Sequence, residues 1–287
     1  MSFYAAVIHP FVEYGFMRRA LIACVALGIG SGPIGVLLML RRMSLVGDAM
    51  SHAVLPGAAI GFLIAGGLSL PAMGLGGIVA GLIVALLSGL VSRTTVLKED
   101  ASFASFYLAS LALGVLVVSL RGSNIDLLHV LFGTILAIDA TALYFVGAIT
   151  SFTVVTLAIV YRPLVVECFD PGFLRSVRGG GAIYHVLFLF LVVLNLVASF
   201  QALGTLMAVG LMMLPASVAQ LWARTLPVMM LIAAGVAAVS GLLGLIISYH
   251  FGLASGPTII LVAAAAYCLS LLFCPSGAVR RLFPARI

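Results

Sequence analysis

The stretch RRMSLVGDAMSHAVLPGAAIGFLIAG, residues 41–66, decides the fold of this chain. After two arginines it is mainly apolar for about twenty residues, the length at which a helix crosses the hydrocarbon core of a bilayer. Yet Asp48 and His52 stand four residues apart, so both side chains lie on one face of the predicted helix. The stretch therefore predicts a membrane-spanning helix that carries two ionisable groups.

The composition extends this interpretation to the whole chain. Of its 287 residues, 64% are hydrophobic and 8% are charged, whereas about a quarter of the residues in a soluble domain are charged. The apolar runs are continuous rather than alternating, which favours helices over barrel strands. We therefore predict an all-α fold, a polytopic helical bundle in the membrane. The net charge of +6 is explained by positively charged cytoplasmic loops and does not indicate nucleic-acid binding.

We predict about nine transmembrane helices, with eight to ten possible. They cover residues 20–40, 45–66, 71–92, 101–120, 140–161, 183–200, 203–222, 228–249 and 257–274. Residues 1–16 are expected to form an interfacial amphipathic segment, residues 17–275 the transmembrane domain, and residues 276–287 a basic cytoplasmic tail. The short apolar segment 127–138 is expected to be re-entrant or to lie on the surface, and Asp139 is expected to cap the next helix.

The arginines predict the orientation. With the C-terminus in the cytoplasm, 11 of the 14 basic residues lie on the inner side, and only Arg18, Arg19 and Arg121 lie outside. The reversed topology would invert this ratio, contrary to the positive-inside rule. An odd number of spans then places the N-terminus outside, and the pair Arg18–Arg19 is an exception to the rule. The expected location is the plasma (inner) membrane of a bacterium.

Asp48 and His52 allow two interpretations. A carboxylate within a span costs at least about 2.5 kcal/mol on insertion scales, and a divalent cation would offset that cost, because carboxylate and imidazole together suit zinc, manganese or iron. Alternatively, Asp48 caps the start of its helix or pairs with Arg41 or Arg42. The spacing by itself leaves both interpretations open.

Six blocks of sequence, in order, resemble the signatures of the ABC-3 family of metal-uptake permeases. They are RRMSLVGDAMSHAVLPG at 41–57, KEDASFASFYLASLALGVLVVSL at 98–120, DLLHVLFGTILAI at 126–138, FDPGFLRSVRGG at 169–180, QALGTLMAVGLMMLPASVAQ at 201–220 and SYHFGLASGPTIILV at 248–262. The similarity covers about residues 15–275, and Leu174 stands where alanine is more usual in the family. It implies the membrane subunit of an importer for a divalent transition metal.

The resemblance also implies the partners. A cytoplasmic ABC ATPase would supply the energy, an extracytoplasmic binding protein would deliver the metal, and a second permease chain would complete a homodimer. The chain itself has no G-x-x-x-x-G-K-[ST] phosphate loop, so we expect no enzyme activity of its own. The metal is expected to be cargo rather than a bound cofactor. Zinc is the first expectation from the ligand types, and manganese or ferrous iron is the alternative.

In such a homodimer, two copies of Asp48 and His52 would converge on the twofold axis and supply four ligands. His52 must be neutral to bind a metal, so uptake is expected to weaken at acidic pH. Asp48→Ala is expected to abolish transport while the protein remains in the membrane.

The resemblance implies that the longest inner loop, residues 162–182, docks the ATPase. Its residues Phe169, Asp170, Phe173, Arg175 and Gly179 would form a short amphipathic helix that lies in a groove of the partner and ends at the glycines. From composition alone, the same loop is a solvated segment with positive-inside charge.

Five further residues are candidates for a gate or pivot. Pro56, Pro215 and Pro257 are expected to interrupt or flex helices, by analogy with the broken helices of transporters. Tyr249 and His250 end a span on the outer side, where they could receive the metal or simply anchor the helix at the interface.

Two other classes of protein compete with this interpretation. A proton-coupled secondary transporter would use carboxylates inside the membrane as proton relays, but only Asp48 lies clearly inside a span. An intramembrane metalloenzyme would need a motif such as H-E-x-x-H, which the sequence lacks.

Overall fold

The computed structural model describes residues 9–66, 69–97, 99–120, 138–170 and 181–274. These residues form ten helices and no strand. The helices are α1 (His9–Glu13), α2 (Gly15–Leu40), α3 (Ser44–Ala65), α4 (Leu70–Thr94), α5 (Glu99–Leu120), α6 (Ala140–Phe169), α7 (Gly181–Leu203), α8 (Thr205–Trp222), α9 (Leu226–Phe251) and α10 (Ser255–Phe273). The predicted re-entrant segment 127–138 lies almost wholly outside the described residues, as does the basic tail.

The prediction of a polytopic helical membrane protein is confirmed. Within the described ranges, eight helices have the length and hydropathy to cross a membrane, namely α2 to α7, α9 and α10. The remaining span expected from the sequence is α8, whose apolar part Met207–Trp222 is shorter. Gly204, with a positive φ of 85°, is the only residue between α7 and α8. Such a backbone angle favours glycine.

The helices pack in two groups around a shared centre. On one side, α3 packs against α4 and α5. On the other side, α8, α9 and α10 pack against one another. The centre consists of α2 and α7, which are the most buried of the spans, and α6 packs against both of them. Both central helices contact both groups, and α3, the helix of the opening stretch, lies with α4 and α5 on one side of them.

Small residues permit the closest helix contact. Gly57 of α3 faces Gly76 of α4, and a Cβ atom at either position would collide with the backbone carbonyl of the other. Gly61 faces the backbone of Ala72 in the same way. Such small-residue faces let two helix backbones approach within the membrane, and here they fix α4 against the side of α3 that carries neither Asp48 nor His52.

Two helix boundaries differ from the prediction by five residues or more, and the predicted cap of α6 is confirmed. The first span begins at Gly15, so Arg18 and Arg19 belong to the start of α2. The fifth span extends to Phe169, eight residues beyond the predicted end, so part of the predicted inner loop 162–182 is helical. Asp139 caps α6 as predicted, since its carboxylate accepts a hydrogen bond from the backbone N–H of Ala142 at 2.7 Å.

Candidate functional site

The described part of the chain leaves the face of α3 that carries Asp48 and His52 uncovered. Its buried residues face α4, α5 and the central helices, whereas positions 45, 48, 52, 55 and 59 are exposed or half-buried. These positions follow the 3.6-residue period, so they form one continuous stripe along the helix. We call this stripe the open face of α3. The side chain of Asp48 is 62% exposed and that of His52 is 36% exposed.

On the open face, the two candidate ligands point toward a common space. His52 Nε2 lies 3.9 Å from Asp48 Oδ1, which is too long for a hydrogen bond but leaves both atoms free to approach one ion. The imidazole stacks on the ring of Tyr107 in α5, with the ring centroids 6.2 Å apart. Tyr107 therefore restricts the orientation of His52 from a neighbouring helix.

The structure argues against both alternatives for Asp48. Asp48 is the fifth residue of α3, and the residue at the N-cap position is Met43, so Asp48 does not cap the helix. Arg41 forms its ion pair with Glu167 of α6 instead, at 3.5 Å. Among the described residues, the partner of Asp48 within ion-pair distance is His52.

Nearby polar groups divide into those that face the site and those that do not. Ser51 is buried and donates a hydrogen bond to the backbone carbonyl of Asp48 at 2.7 Å, so its hydroxyl serves the helix. Asp100, in the first turn of α5, lines the same open cleft of about 180 Å³ as Asp48 and Tyr107. The sequence interpretation missed both Asp100 and Tyr107. An acidic residue in a first helical turn is common, and only the packing of α5 on α3 brings it to the cleft.

A proline follows His52 by one helical turn. Pro56 is buried inside α3, and because proline has no N–H, the carbonyl of His52 loses its usual helical hydrogen bond. Helix α5 supports α3 at this point. The Ser110 hydroxyl donates a hydrogen bond to the carbonyl of Ala53 at 3.2 Å, and Gly114 packs directly against the ring of Pro56.

One chain does not hold a complete metal site in the part that the structure describes. No group of three or more histidine, cysteine, aspartate or glutamate side chains is close enough to hold one ion there. Asp48 and His52 supply two ligands, and zinc takes four while manganese takes up to six. A metal site on the open face therefore needs ligands beyond those that the described residues of one chain supply.

The predicted ATPase-docking residues are only partly described. Phe169 is the last residue of α6 and is largely exposed, and the backbone N–H of Asp170 donates to the carbonyl of Val166 to end the helix. Phe173, Arg175 and Gly179 lie outside the described residues. The expected short amphipathic helix does not begin at Phe169, since that residue terminates a membrane-spanning helix, and the docking role of the loop stays a prediction.

The candidate pivots differ in their surroundings. Pro56 and Pro215 lie inside helices α3 and α8, where each removes a backbone hydrogen bond. Pro257 is the third residue of α10. Because the N–H groups of a first helical turn have no helical partner in any case, Pro257 breaks no hydrogen bond there.

On the opposite end of the bundle from Asp48, aromatic rings close the gap between α2 and α9. Tyr249 contacts the ring of Tyr14 at a centroid distance of 5.8 Å and the ring of His250 at 5.4 Å. The hydrogen bond between the tyrosines, together with the negative charge of Glu13, raises the pKa of Tyr14. These contacts suit an interfacial anchor, one of the two roles expected of Tyr249 and His250.

Fold and site together define a class: a polytopic helical membrane protein with an uncovered helix face that presents a carboxylate and an imidazole. The chain belongs to the ABC 3 transport family, whose model matches residues 13–274. It is similar to a manganese transport system membrane protein of Halalkalibacterium halodurans, MntC, with 35% identity over 269 residues that cover 93% of this chain and 90% of that protein.

Two further similarities agree with the family. A chelated iron transport system membrane protein of Yersinia pestis, YfeD, is 30% identical over 270 residues, which cover 94% of this chain and 89% of that protein. The solved structure of PsaBC from Streptococcus pneumoniae in complex with Fab superposes with a TM-score of 0.83 at 32% identity, covering 96% of this chain and 98% of that chain.

Proposed function

We propose that this chain is the membrane-spanning permease subunit of an ATP-driven importer, and that its cargo is manganese. The observation that carries the proposal is the open face of α3, where Asp48 and His52 are exposed inside a span. Ionisable groups in a span are energetically costly, so their presence indicates a function such as binding a cargo or a partner. Membership of the ABC 3 transport family supports the transport function.

The choice of metal rests on the relatives and on ligand chemistry. The H. halodurans relative is named for manganese and the Y. pestis relative for chelated iron, and neither name supports the zinc expected from the sequence. Manganese accepts mixed carboxylate, imidazole and water ligands in octahedral geometry. The same ligands bind zinc more tightly than manganese, so zinc is expected to occupy the site and block it.

The site becomes complete when two chains pair through their open faces. Across a twofold axis each residue meets its own symmetry mate, so the pair contributes two Asp48 carboxylates and two His52 imidazoles. Tyr107 holds each imidazole in place by stacking. The bound cation neutralises the negative charge of the two carboxylates, and this offsets the free-energy cost of their desolvation.

The importer needs two other partners. A cytoplasmic ABC ATPase docks where α6 ends, at Phe169 and Asp170. An extracytoplasmic binding protein delivers the ion at the end of the bundle that holds Tyr249 and His250. The C-terminus is then cytoplasmic, and the membrane is the bacterial plasma membrane. The arginine distribution supports this orientation.

The test uses the complete transporter, reconstituted in vesicles with its ATPase and binding protein, and measures radioactive manganese uptake. Asp48→Asn and His52→Gln keep the side-chain size but remove a metal ligand. Each is expected to lower uptake by about tenfold or more, since even changes to groups around a metal's ligands cost about 10–100-fold. Ser51→Ala is the matched control, because Ser51 is adjacent but buried away from the open face. It should keep uptake near the wild-type level.

Competition separates the metals. Zinc added with manganese is expected to suppress manganese uptake without accumulating in the vesicles. Zinc that accumulates faster than manganese would overturn the choice of metal, and ferrous iron that does so would point to the function named for the Y. pestis relative. Full manganese uptake by Asp48→Asn would overturn the proposed site itself.

A further inference from the structure

A buried ion pair joins two helices at the end of the bundle nearest Asp48. Arg41 Nη2 lies 3.5 Å from Glu167 Oε1, and the side chains are only 7% and 2% exposed. The guanidinium also lies over the ring of Phe188 in α7, 4.9 Å from its centroid. The other two ion pairs found among the described residues, His9–Glu13 and Asp48–His52, are both substantially exposed.

Stability alone gives a weak reason for this pair. Two charges lose their hydration when they are buried, and well-packed apolar residues of similar volume often stabilise a protein at least as well. The pair is also incompletely satisfied, because Arg41 Nη1 is buried without a hydrogen-bond partner among the described residues. In some proteins a buried charge pair is retained because it fixes the relative position of the segments that carry it, and removing one partner is strongly destabilising.

Arg41 is rigidly connected to the helix that carries Asp48. It is the C-cap of α2, and only Arg42 and Met43 separate it from the start of α3. The backbone N–H of Met43 bonds the carbonyl of Leu38, and that of Arg42 bonds the carbonyl of Met39, both at 3.0 Å. This pair of bonds is the Schellman motif. Met43 is buried with Leu38 in one core cluster, so the turn is closed by packing as well.

Glu167 is connected just as directly to the segment expected to dock the ATPase. It lies in the last turn of α6, two residues before Phe169, and the chain continues from Asp170 into residues 171–180. Helix α6 packs along α2, and the ion pair joins them at their ends. One short path therefore runs from the end of α6 through Glu167, Arg41 and the closed turn to the first residues of α3.

We propose that the Arg41–Glu167 pair is a positioning link that transmits movement of the end of α6, driven by the ATPase, to the open face of α3. This inference rests on the proposed function, since it needs an ATPase partner at one end and a cargo site at the other. The link lets the docking segment and Asp48 move as one unit. Without the link, ATP is hydrolysed and the end of α6 moves, but α3 does not move with it and manganese is not transported.

The test measures the ratio of manganese ions imported to ATP molecules hydrolysed, in vesicles that hold the complete transporter. Glu167→Gln removes the charge and keeps the shape. It is expected to lower this ratio about fivefold or more, the lower end of typical coupling between two sites. The ratio does not depend on how much protein folds, so a structural role alone would leave it unchanged. Manganese binding to the purified permease should stay within about twofold of wild type, because Asp48 and His52 are intact.

Three further variants make the result decisive. Arg42→Gln removes the neighbouring positive charge, which is exposed, and should keep the wild-type ratio. Glu167→Asp keeps the charge but shortens the side chain, and should lower the ratio even if Glu167→Gln fails to insert. The exchange of the two charges, Arg41→Glu with Glu167→Arg, should recover part of the ratio.

A wild-type ratio in both Glu167→Gln and Glu167→Asp would overturn the link while leaving the proposed function intact. Failure of the proposed function has a different signature, because the wild-type transporter itself would then import no manganese.

Discussion

At Gly114, α5 approaches the proline ring of α3 so closely that no side chain fits between them. A Cβ atom there would lie 2.8 Å from Cγ of Pro56, 2.9 Å from its Cβ and 3.0 Å from its Cα. The proline ring is rigid and is joined to the backbone of α3 at Cα. Pro56 therefore cannot move away from an added side chain unless the whole helix shifts. Gly114→Val is therefore expected to destabilise the protein by about 1–3 kcal/mol through overpacking, measured as a lower thermal unfolding midpoint of the purified permease.

A substitution at a second helical glycine distinguishes the effect of packing from the effect of helix propensity. Gly235 lies in α9, and a Cβ atom there would have no neighbour within 4 Å. Gly235→Ala is expected to raise the midpoint slightly, because alanine is favoured over glycine in a helix by about 1 kcal/mol. If Gly114→Val and Gly235→Ala shifted the midpoint in the same direction, the contact between Gly114 and Pro56 would not be the cause.

The residue scale also shows which parts of the site could be predicted. The shared face of Asp48 and His52 follows from their spacing alone, whereas the exposure of that face is known only from the structure. Asp100, Tyr107 and the pairing of Arg41 with Glu167 could not be found in this way. These contacts depend on which helices pack together, and the periodicity of a single sequence segment does not predict helix pairing.

At the scale of the helices, the turn between α2 and α3 stores backbone strain. Arg42 has a φ of 58°, and this left-handed conformation costs a residue with a side chain roughly 1–2 kcal/mol relative to glycine. It occupies the position of the Schellman motif where glycine is usual. Arg42→Gly is therefore expected to stabilise the permease by about 1 kcal/mol, seen as a higher thermal midpoint.

The reverse change provides the control. Gly66 and Gly252 end α3 and α9 with φ of 70° and 64°, and neither has an atom that would touch an added Cβ. Gly252→Ala should therefore lower the midpoint by a similar amount, through backbone strain alone. A fall in the midpoint of Arg42→Gly would mean that the arginine side chain contributes more than its backbone costs.

Helix boundaries were harder to predict than helix positions, and α6 shows why. The predicted span stopped before Arg162 and Pro163, a pair that commonly marks the end of a helix. In the structure α6 continues to Phe169, because Leu164 and Cys168 are buried in the core beyond the proline. Packing supports a helix past a residue that would otherwise end it, and this continuation brings Glu167 to Arg41.

At the scale of the whole molecule, the described helices of a single chain leave its most unusual surface uncovered. The open face of α3 presents a carboxylate and an imidazole beside apolar positions 45, 55 and 59. Lipid would cover the apolar positions well but not the two ionisable ones. A second chain on the same face would cover both kinds of position, so the exposed stripe predicts where two copies meet.

Cysteine cross-linking tests this pairing directly. Across a twofold axis a residue near the axis faces its own copy, and a disulfide needs Cα atoms about 4.4–6.8 Å apart. In a background where the exposed Cys268 is replaced by serine, Ala59→Cys or Leu55→Cys is expected to give a covalent dimer under mild oxidation in the membrane. Val79→Cys, exposed on α4, serves as the control and should stay monomeric.

Bound manganese should increase the dimer yield, since it draws the two open faces together. A dimer formed through position 79 but through neither 55 nor 59 would show that the chains pair through another face, and Asp48 and His52 could not then meet their copies around one ion.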